Sequence, residues 1–238
     1  AVRAVLAAVE RFQHGNFKPQ PLDYSRPEVR GRLHAPIQQA DRAIDWSSDD
    51  TRTVLKKIHA ADGFPGVLDT LCGEAYYLFD ACAEDTLRGG EPGAIIARRN
   101  GAICRATLDG AVWIGHLKRK TEGEKLPVRP EVSKENGSQH AHCGSIPHHE
   151  RANEQFGLKL PAALLLGEHL ANIPEVSLNP FAPCTGETYR DIWFEQKNNV
   201  GYLHFYFYNG AMSSEQCERL RGAYLAATRR DVRVIVLM

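Results

Sequence analysis

The sequence lacks most of the features that announce a chemistry. It has no net charge, since 29 basic residues balance 29 acidic ones. A nucleic-acid binder needs a basic face, so this balance argues against that class. Its six cysteines, Cys72, Cys82, Cys104, Cys143, Cys184 and Cys217, form no CxxC pair. In a chain this long they read as reduced thiols of a cytoplasmic protein, not as a disulfide framework. No apolar run approaches the roughly 20 residues that cross a bilayer, so no membrane association is expected. Residues 1–13 have helical spacing but none of the cleavage pattern of a secretory signal. A glycine-rich phosphate loop, GxSxG and HExxH are all missing. Carboxylate pairs such as Asp49–Asp50 and Glu84–Asp85 fall at helix starts or in loops, where they cap or are solvated. No catalytic residue is assigned.

What is present suffices for one large domain or two small ones: 238 residues, 43% of them hydrophobic. The chain opens on Ala1 inside an amphipathic pattern, with Val2, Val5, Leu6, Val9 and Phe12 at helical spacing. It closes on VRVIVLM, residues 232–238, an apolar run of the kind buried on both faces of a sheet. Both ends lead us to expect an internal piece of a longer protein.

The most distinctive stretch is residues 26–46, RPEVRGRLHAPIQQADRAIDW. No hydrophobic period runs through its first half, so it is expected to be an ordered connector. Arg26, Arg30, Arg32, Gln39 and Arg42 place fork or amide donors around Gly31, in a segment that Pro27 and Pro36 hold extended. Guanidinium groups in this arrangement suit phosphate or carboxylate. A solvated linker with surface arginines fits the same residues.

Downstream, Ser47–Asp50 supplies N-cap residues for a helix over residues 51–61, with Val54, Leu55, Ile58 and Ala61 on one face. A strand is expected at residues 75–79, then an acidic loop at 80–93 and three strands at 94–98, 102–107 and 111–117. Asn100–Gly101 and Asp109–Gly110 separate these as hairpin turns. Val112 and Ile114 share one face, with His116 a further candidate for it, and Trp113 and Gly115 point the other way. The pattern is that of a small antiparallel meander, or partly open barrel. Residues 118–155 are polar and carry His140, His142, Cys143, His148 and His149. Five potential zinc ligands without a second ligand pair read as a solvated, disordered insertion, and no metal site is assigned. Residues 172–186, with three prolines, look like a linker. The final part gives a hairpin about Asn198–Asn199 and a turn at Asn209–Gly210. A capping box of Ser213 and Gln216, with Met212 and Cys217 as a staple, opens a helix that leads to a parallel strand.

The series DRAIDW, a capped helix, PGV, YYLFDA and GAICRATLDGAVWIGHL resembles the C-terminal OB-like domain of methionyl-tRNA formyltransferases. With SRPEVRGR before it and VGYLHFYFYNGAMSSEQC after it, the whole order resembles the HypX/HoxX family of hydrogenase maturation factors. In that family a formyltransferase is fused to an enoyl-CoA hydratase-like (crotonase) domain. The resemblance covers residues 1–117 and 156–238, and residues 118–155 depart from it as an insertion.

That resemblance implies an α+β chain: a small OB-like antiparallel barrel with flanking helices, then the opening βαβ unit of a crotonase-like domain. The implied divisions are 1–45, the end of a formyltransferase core and connector; 46–170, the OB-like domain; 171–188, a linker; and 189–238, the start of the crotonase-like domain. The implied activity makes carbon monoxide for nickel–iron hydrogenase from 10-formyltetrahydrofolate and coenzyme A, by way of formyl-CoA. The catalytic residues would fall outside this stretch on both sides, and neither small molecule is expected to bind it tightly alone. Hydrogenase maturation proteins are possible partners. Arg26, Arg30, Arg32, Gln39 and Arg42, with Asn209 and Ala211 beside the first crotonase helix, become candidates for coenzyme A phosphates. A methionyl-tRNA or sugar formyltransferase relative is the alternative. A stand-alone OB-fold binding module would need a basic groove with exposed aromatics, for which Trp113 is the one strong candidate.

Overall fold

The computed structural model describes residues 2–15, 17–18, 21–31, 34–121, 158–183, 186–210 and 212–238. These form two units that divide after Ile37. The expected histidine-rich run lies outside the described residues, as do Arg32, Cys143, Cys184 and Ala211.

In the first unit, the apolar spacing at the start of the chain produces helix α1, Val2–Gln13. Among its described residues the connector has one turn of 3-10 helix, Pro27–Val29, with proline at its first position. That agrees with the missing periodicity of the connector and with the fixed φ of proline.

The second unit begins with a short helix α2, Gln39–Arg42, and helix α3, Thr51–Ala61. Asp50 caps α3 by accepting the Thr53 amide at 2.7 Å, and Val54, Ile58 and Ala61 are buried under the sheet as their spacing requires. The sheet consists of β1 (Val67–Leu71), β2 (Glu74–Glu84), β3 (Ile95–Arg99), β4 (Ala102–Ala106) and β5 (Ala111–Arg119). Their order is β1-β2-β5-β4-β3, all neighbours antiparallel, and β6 (Leu160–Pro161) adds to β5. Helix α4, Ala162–Leu166, follows directly and sends Ala162 and Leu166 into the core.

The sheet curls. β1 and β4 stand three places apart, which in a flat sheet is about 14 Å. Yet Arg105 on β4 is ion-paired with Asp69 on β1, and Trp46 closes over the pair, its indole N–H on Asp69 at 2.9 Å and the Arg105 guanidinium 3.8 Å from its ring centre. Only strong curvature brings these inner faces together. No β1–β3 ladder closes the ring among the described residues, so the sheet is an incomplete barrel.

The second sheet is β7 (Ile192–Lys197), β8 (Val200–Phe205) and β9 (Val234–Leu237), in that order. The β7–β8 pair is antiparallel and turns at Asn198, which has φ 55°. Helix α5, Ser214–Ala227, crosses from β8 to its parallel neighbour β9. The chain is thus a mixed α+β structure with antiparallel sheets and one parallel crossover.

Four local expectations change. β2 does not stop at Phe79 but runs on to Glu84 through Asp80, whose φ is +58°. There the alternation changes phase: Tyr76, Leu78 and Ala81 enter one core, while Tyr77 and Phe79 face a separate cluster. β5 shifts phase opposite it at Gly115, so Val112, Ile114 and Leu117 share the core and His116 turns to the other side, against Tyr208. Asn100 and Gly101 both have positive φ, as a tight hairpin turn requires, whereas Asp109–Gly110 sits in a longer loop closed by Thr107 N–H to Gly110 O at 3.0 Å. The Ser213–Gln216 capping box forms in both directions, but Met212 and Cys217 are exposed, so no hydrophobic staple accompanies it.

Candidate functional site

The two sheets meet at polar groups. Glu84, at the end of β2, is 3% exposed. One carboxylate oxygen accepts the Thr86 amide and hydroxyl and the Leu87 amide; the other accepts Trp113 Nε1 at 2.6 Å and the Thr188 hydroxyl at 2.5 Å. Arg99, at the end of β3, donates to Thr188 Oγ1 at 2.7 Å, Tyr189 O at 2.9 Å and Val176 O at 2.7 Å, and its guanidinium lies 4.5 Å from the Trp113 ring centre. Burial by itself would raise the Glu84 pKa, but the bonds from Thr188, Thr86 and Trp113 outweigh it and hold the group at about 2. The stretch expected to be a linker is therefore docked: Pro174 and Val176 bond along β3 at Arg98, and Asp85 and Glu187 exchange bonds.

A second junction lies on the face of Tyr77 and Phe79. Tyr208, just after β8, packs on this cluster. The Lys159 ammonium sits 3.9 Å from the Phe79 ring centre and donates to Asp62 O at 2.8 Å, Gly63 O at 3.2 Å and Tyr208 Oη at 2.9 Å. Burial lowers the Lys159 pKa and raises that of Tyr208. Asp62 Oδ1 accepts the Asp80 amide at 2.6 Å, and Asp80 Oδ2 meets His116 Nδ1 at 2.9 Å. The His116 ring stacks on Tyr208 with centres 4.6 Å apart. His116 also borders a cavity of about 500 Å³ shared with Tyr189, Ser213 and Arg219. A carboxylate on Nδ1 fixes ring orientation and leaves Nε2 as the remaining imidazole nitrogen, the arrangement of a general base.

The residues expected to recognise phosphate are distributed as follows. Arg26 and Arg30 belong to the first unit, where Arg30 Nε donates to Tyr24 O at 2.7 Å. Gln39 and Arg42 lie on α2. Gln39 uses its amide on the strand start, donating to Gly66 O at 3.1 Å and accepting Leu68 N–H at 3.3 Å. Asn209 is exposed at φ 55°, beside Tyr208. Gly66 abuts Phe79, so Gln39 and Asn209 border the same Phe79–Tyr208 cluster. Arg32 and Ala211 lie outside the described residues, as do the five zinc-type ligands. Among the described residues no group of histidine, cysteine and carboxylate side chains is placed to hold a metal. Burial pushes the Cys82 thiol up, and Cys104 up to about 12, so neither is a ready nucleophile. Sequence reasoning missed Lys159, Tyr208 and the Asp80–His116 pair. The left-handed Asp80 that sets their geometry carries no local signal, and Lys159 stands alone between Leu158 and Leu160, outside any motif.

The formyl transferase, C-terminal domain family matches residues 36–128. Hydrogenase maturation factor HoxX from Bradyrhizobium diazoefficiens is 40% identical over 237 residues, covering 100% of this chain and 34% of that protein. A methionyl-tRNA formyltransferase from Paraburkholderia phymatum is 34% identical, but over only 52% of this chain and 36% of its own length. The crystal structure of HypX from Aquifex aeolicus in complex with tetrahydrofolic acid superposes with a TM-score of 0.72 at 35% identity, covering 99% of this chain and 35% of that one. A four-substitution variant of the same HypX gives the same TM-score over 100% of this chain and 36% of that one. The chain thus spans about a third of the length of the relatives it matches. It is similar to the HypX/HoxX hydrogenase maturation factors in sequence and fold over its whole length, with a formyl transferase C-terminal domain inside it.

Proposed function

We propose that this chain is the joining segment of an enzyme that makes carbon monoxide for nickel–iron hydrogenase from 10-formyltetrahydrofolate and coenzyme A, through formyl-CoA. The observation that supports this reading best is its extent. The formyl transferase domain and the βαβ unit after it are matched together, over the full chain, by HypX and HoxX. The methionyl-tRNA formyltransferase likeness reaches only half of the chain. In this reading β7, β8, α5 and β9 open a crotonase-like domain, and the Glu84–Thr188–Arg99 contacts fix it against the formyltransferase side. A carrier passing between two active centres gains from a rigid joint, because a small misplacement of reacting groups costs rate steeply.

Coenzyme A carries several negative charges. Arg26, Arg30, Arg32 and Arg42 supply opposite charge, Gln39 orders the start of β1, and Asn209, in the turn after β8, and Ala211 complete the candidates. Folate is held elsewhere in the complete protein, and the chain itself serves as scaffold and as part of the coenzyme A path. The test incubates the complete gene product with 10-formyltetrahydrofolate and coenzyme A and follows formyl-CoA by mass spectrometry and carbon monoxide by haemoglobin trapping. Both products should form, and carbon monoxide should require both substrates. Formyl transfer to methionyl-tRNA instead would establish the other formyltransferase reading.

A further inference from the structure

We propose that the chain holds a second, separate binding site, for a small anion with a short apolar body. The site is a cavity of about 370 Å³ walled by residues 177–181, the start of β7 and the C-terminal half of α5. Its charged lining is Arg99, Arg190 and Arg219 against a single carboxylate, Asp191. That carboxylate is 2% exposed and already taken, by Asn100 Nδ2 at 2.9 Å and Arg219 Nη2 at 2.6 Å. Arg99 spends its bonds on Val176, Thr188 and Tyr189. The Nε groups of Arg190 and Arg219 are both buried and have no hydrogen-bond partner among the described residues.

Buried N–H donors are nearly always paired, and a guanidinium withdrawn from water is costly unless an acceptor meets it. Three arginines against one carboxylate leave the wall of this cavity with an excess of positive charge, which matches an oxyanion. Guanidinium groups suit both the planar head of a carboxylate and the tetrahedral head of a phosphate ester. The rest of the wall sets apolar side chains, Leu178, Pro180, Phe181 and Ile192, beside the polar Ser177 and Asn179, which suits a short organic acid or phosphate ester. Gly222 also lines the cavity, and a Cβ built there meets nothing within 4 Å. A Cβ at this position therefore meets no protein atom, and a larger side chain there takes up cavity space.

Calorimetry on the complete gene product, with inorganic phosphate in one arm and butyrate in the other, tests the site. At least one of the two should bind, and the arm that binds identifies the head group. Arg190→Gln removes a donor, and Gly222→Leu fills space while leaving every charge in place. Each should weaken binding tenfold or more with an unchanged circular dichroism spectrum. An anion site elsewhere in the complete protein would be untouched by both substitutions. Absence of binding in both arms, or unchanged affinity in folded Gly222→Leu protein, overturns the proposal, and the latter substitution decides the matter if Arg190→Gln fails to fold.

Discussion

Glu84 and Arg99 do not touch each other; they meet through one hydroxyl. The Thr188 Oγ1 donates to the Glu84 carboxylate at 2.5 Å and accepts from Arg99 Nη1 at 2.7 Å. Both charged residues are 3% exposed, and Trp113, fully buried, bonds one and lies under the other. A buried charge is stable only with its partners in place, so loss of one member leaves the other uncompensated. Replacing Glu84 by glutamine should lower unfolding stability by about 1.5–3 kcal/mol, the range for bonds to a charged group. Urea unfolding checks this, and a change below about 0.5 kcal/mol would show that the junction is not held here.

The same carboxylate sets an acid dependence. Its folded pKa, about 2, lies below the ordinary value of 4.5. A depressed carboxylate pKa stabilises the fold fully above the unfolded value and loses that contribution as pH falls from 4.5 towards 2. Urea midpoints measured across this window should drop more steeply for the native sequence than for Glu84→Gln. Parallel curves would assign the acid sensitivity to other groups.

Gly115 and Asp80 form the second checkable pair. A Cβ at Gly115 would stand 2.0 Å from Asp80 Oδ2, so Gly115→Ala must displace the Asp80 carboxylate from His116. We expect a loss of about 1–3 kcal/mol, the usual cost of overpacking. Asp80→Gly frees that space at a backbone position already suited to glycine. The double substitution should therefore be less damaging than the two effects summed, with a coupling of about 0.5–3 kcal/mol. Strict additivity would mean that the two positions do not interact.

Much of the fold was legible because local rules and tertiary packing agree. The Asp50 cap and the Val54–Ile58–Ala61 face define α3 from Thr51 to Ala61 as expected, and the Ser213 capping box defines the start of α5. Where the rules were overridden, a single residue did it. Asp80 takes a left-handed conformation without glycine, held by Asp62 and His116, and this carries β2 on to Glu84 and turns His116 onto Tyr208. Periodicity assumes constant phase, so it could not anticipate the Tyr208–His116 stack. Nor could it anticipate that residues 174–176 run along β3, because proline-rich composition describes intrinsic stiffness and says nothing of a docking surface.

The connector arginines carry a prediction of their own. Alanine at Arg30 or at Arg32 in the complete gene product should weaken coenzyme A about tenfold or more each, as loss of a charge-assisted phosphate bond of about 1.5–3 kcal/mol implies. Calorimetry on the folded variants measures it directly. Unchanged affinity for both would make this stretch a solvated linker.

The central claim is that the complete protein turns a folate-borne formyl carbon into the carbon monoxide of nickel–iron hydrogenase. Cells that make the hydrogenase can be supplied with a one-carbon source labelled with ¹³C, and the iron–carbonyl stretch of the purified enzyme read by infrared spectroscopy. The account predicts a band shifted to lower frequency in cells carrying the gene, and loss of that labelled band when the gene is deleted and cells are kept in air. An unshifted carbonyl band under labelling, or a labelled band of equal strength without the gene, would contradict it.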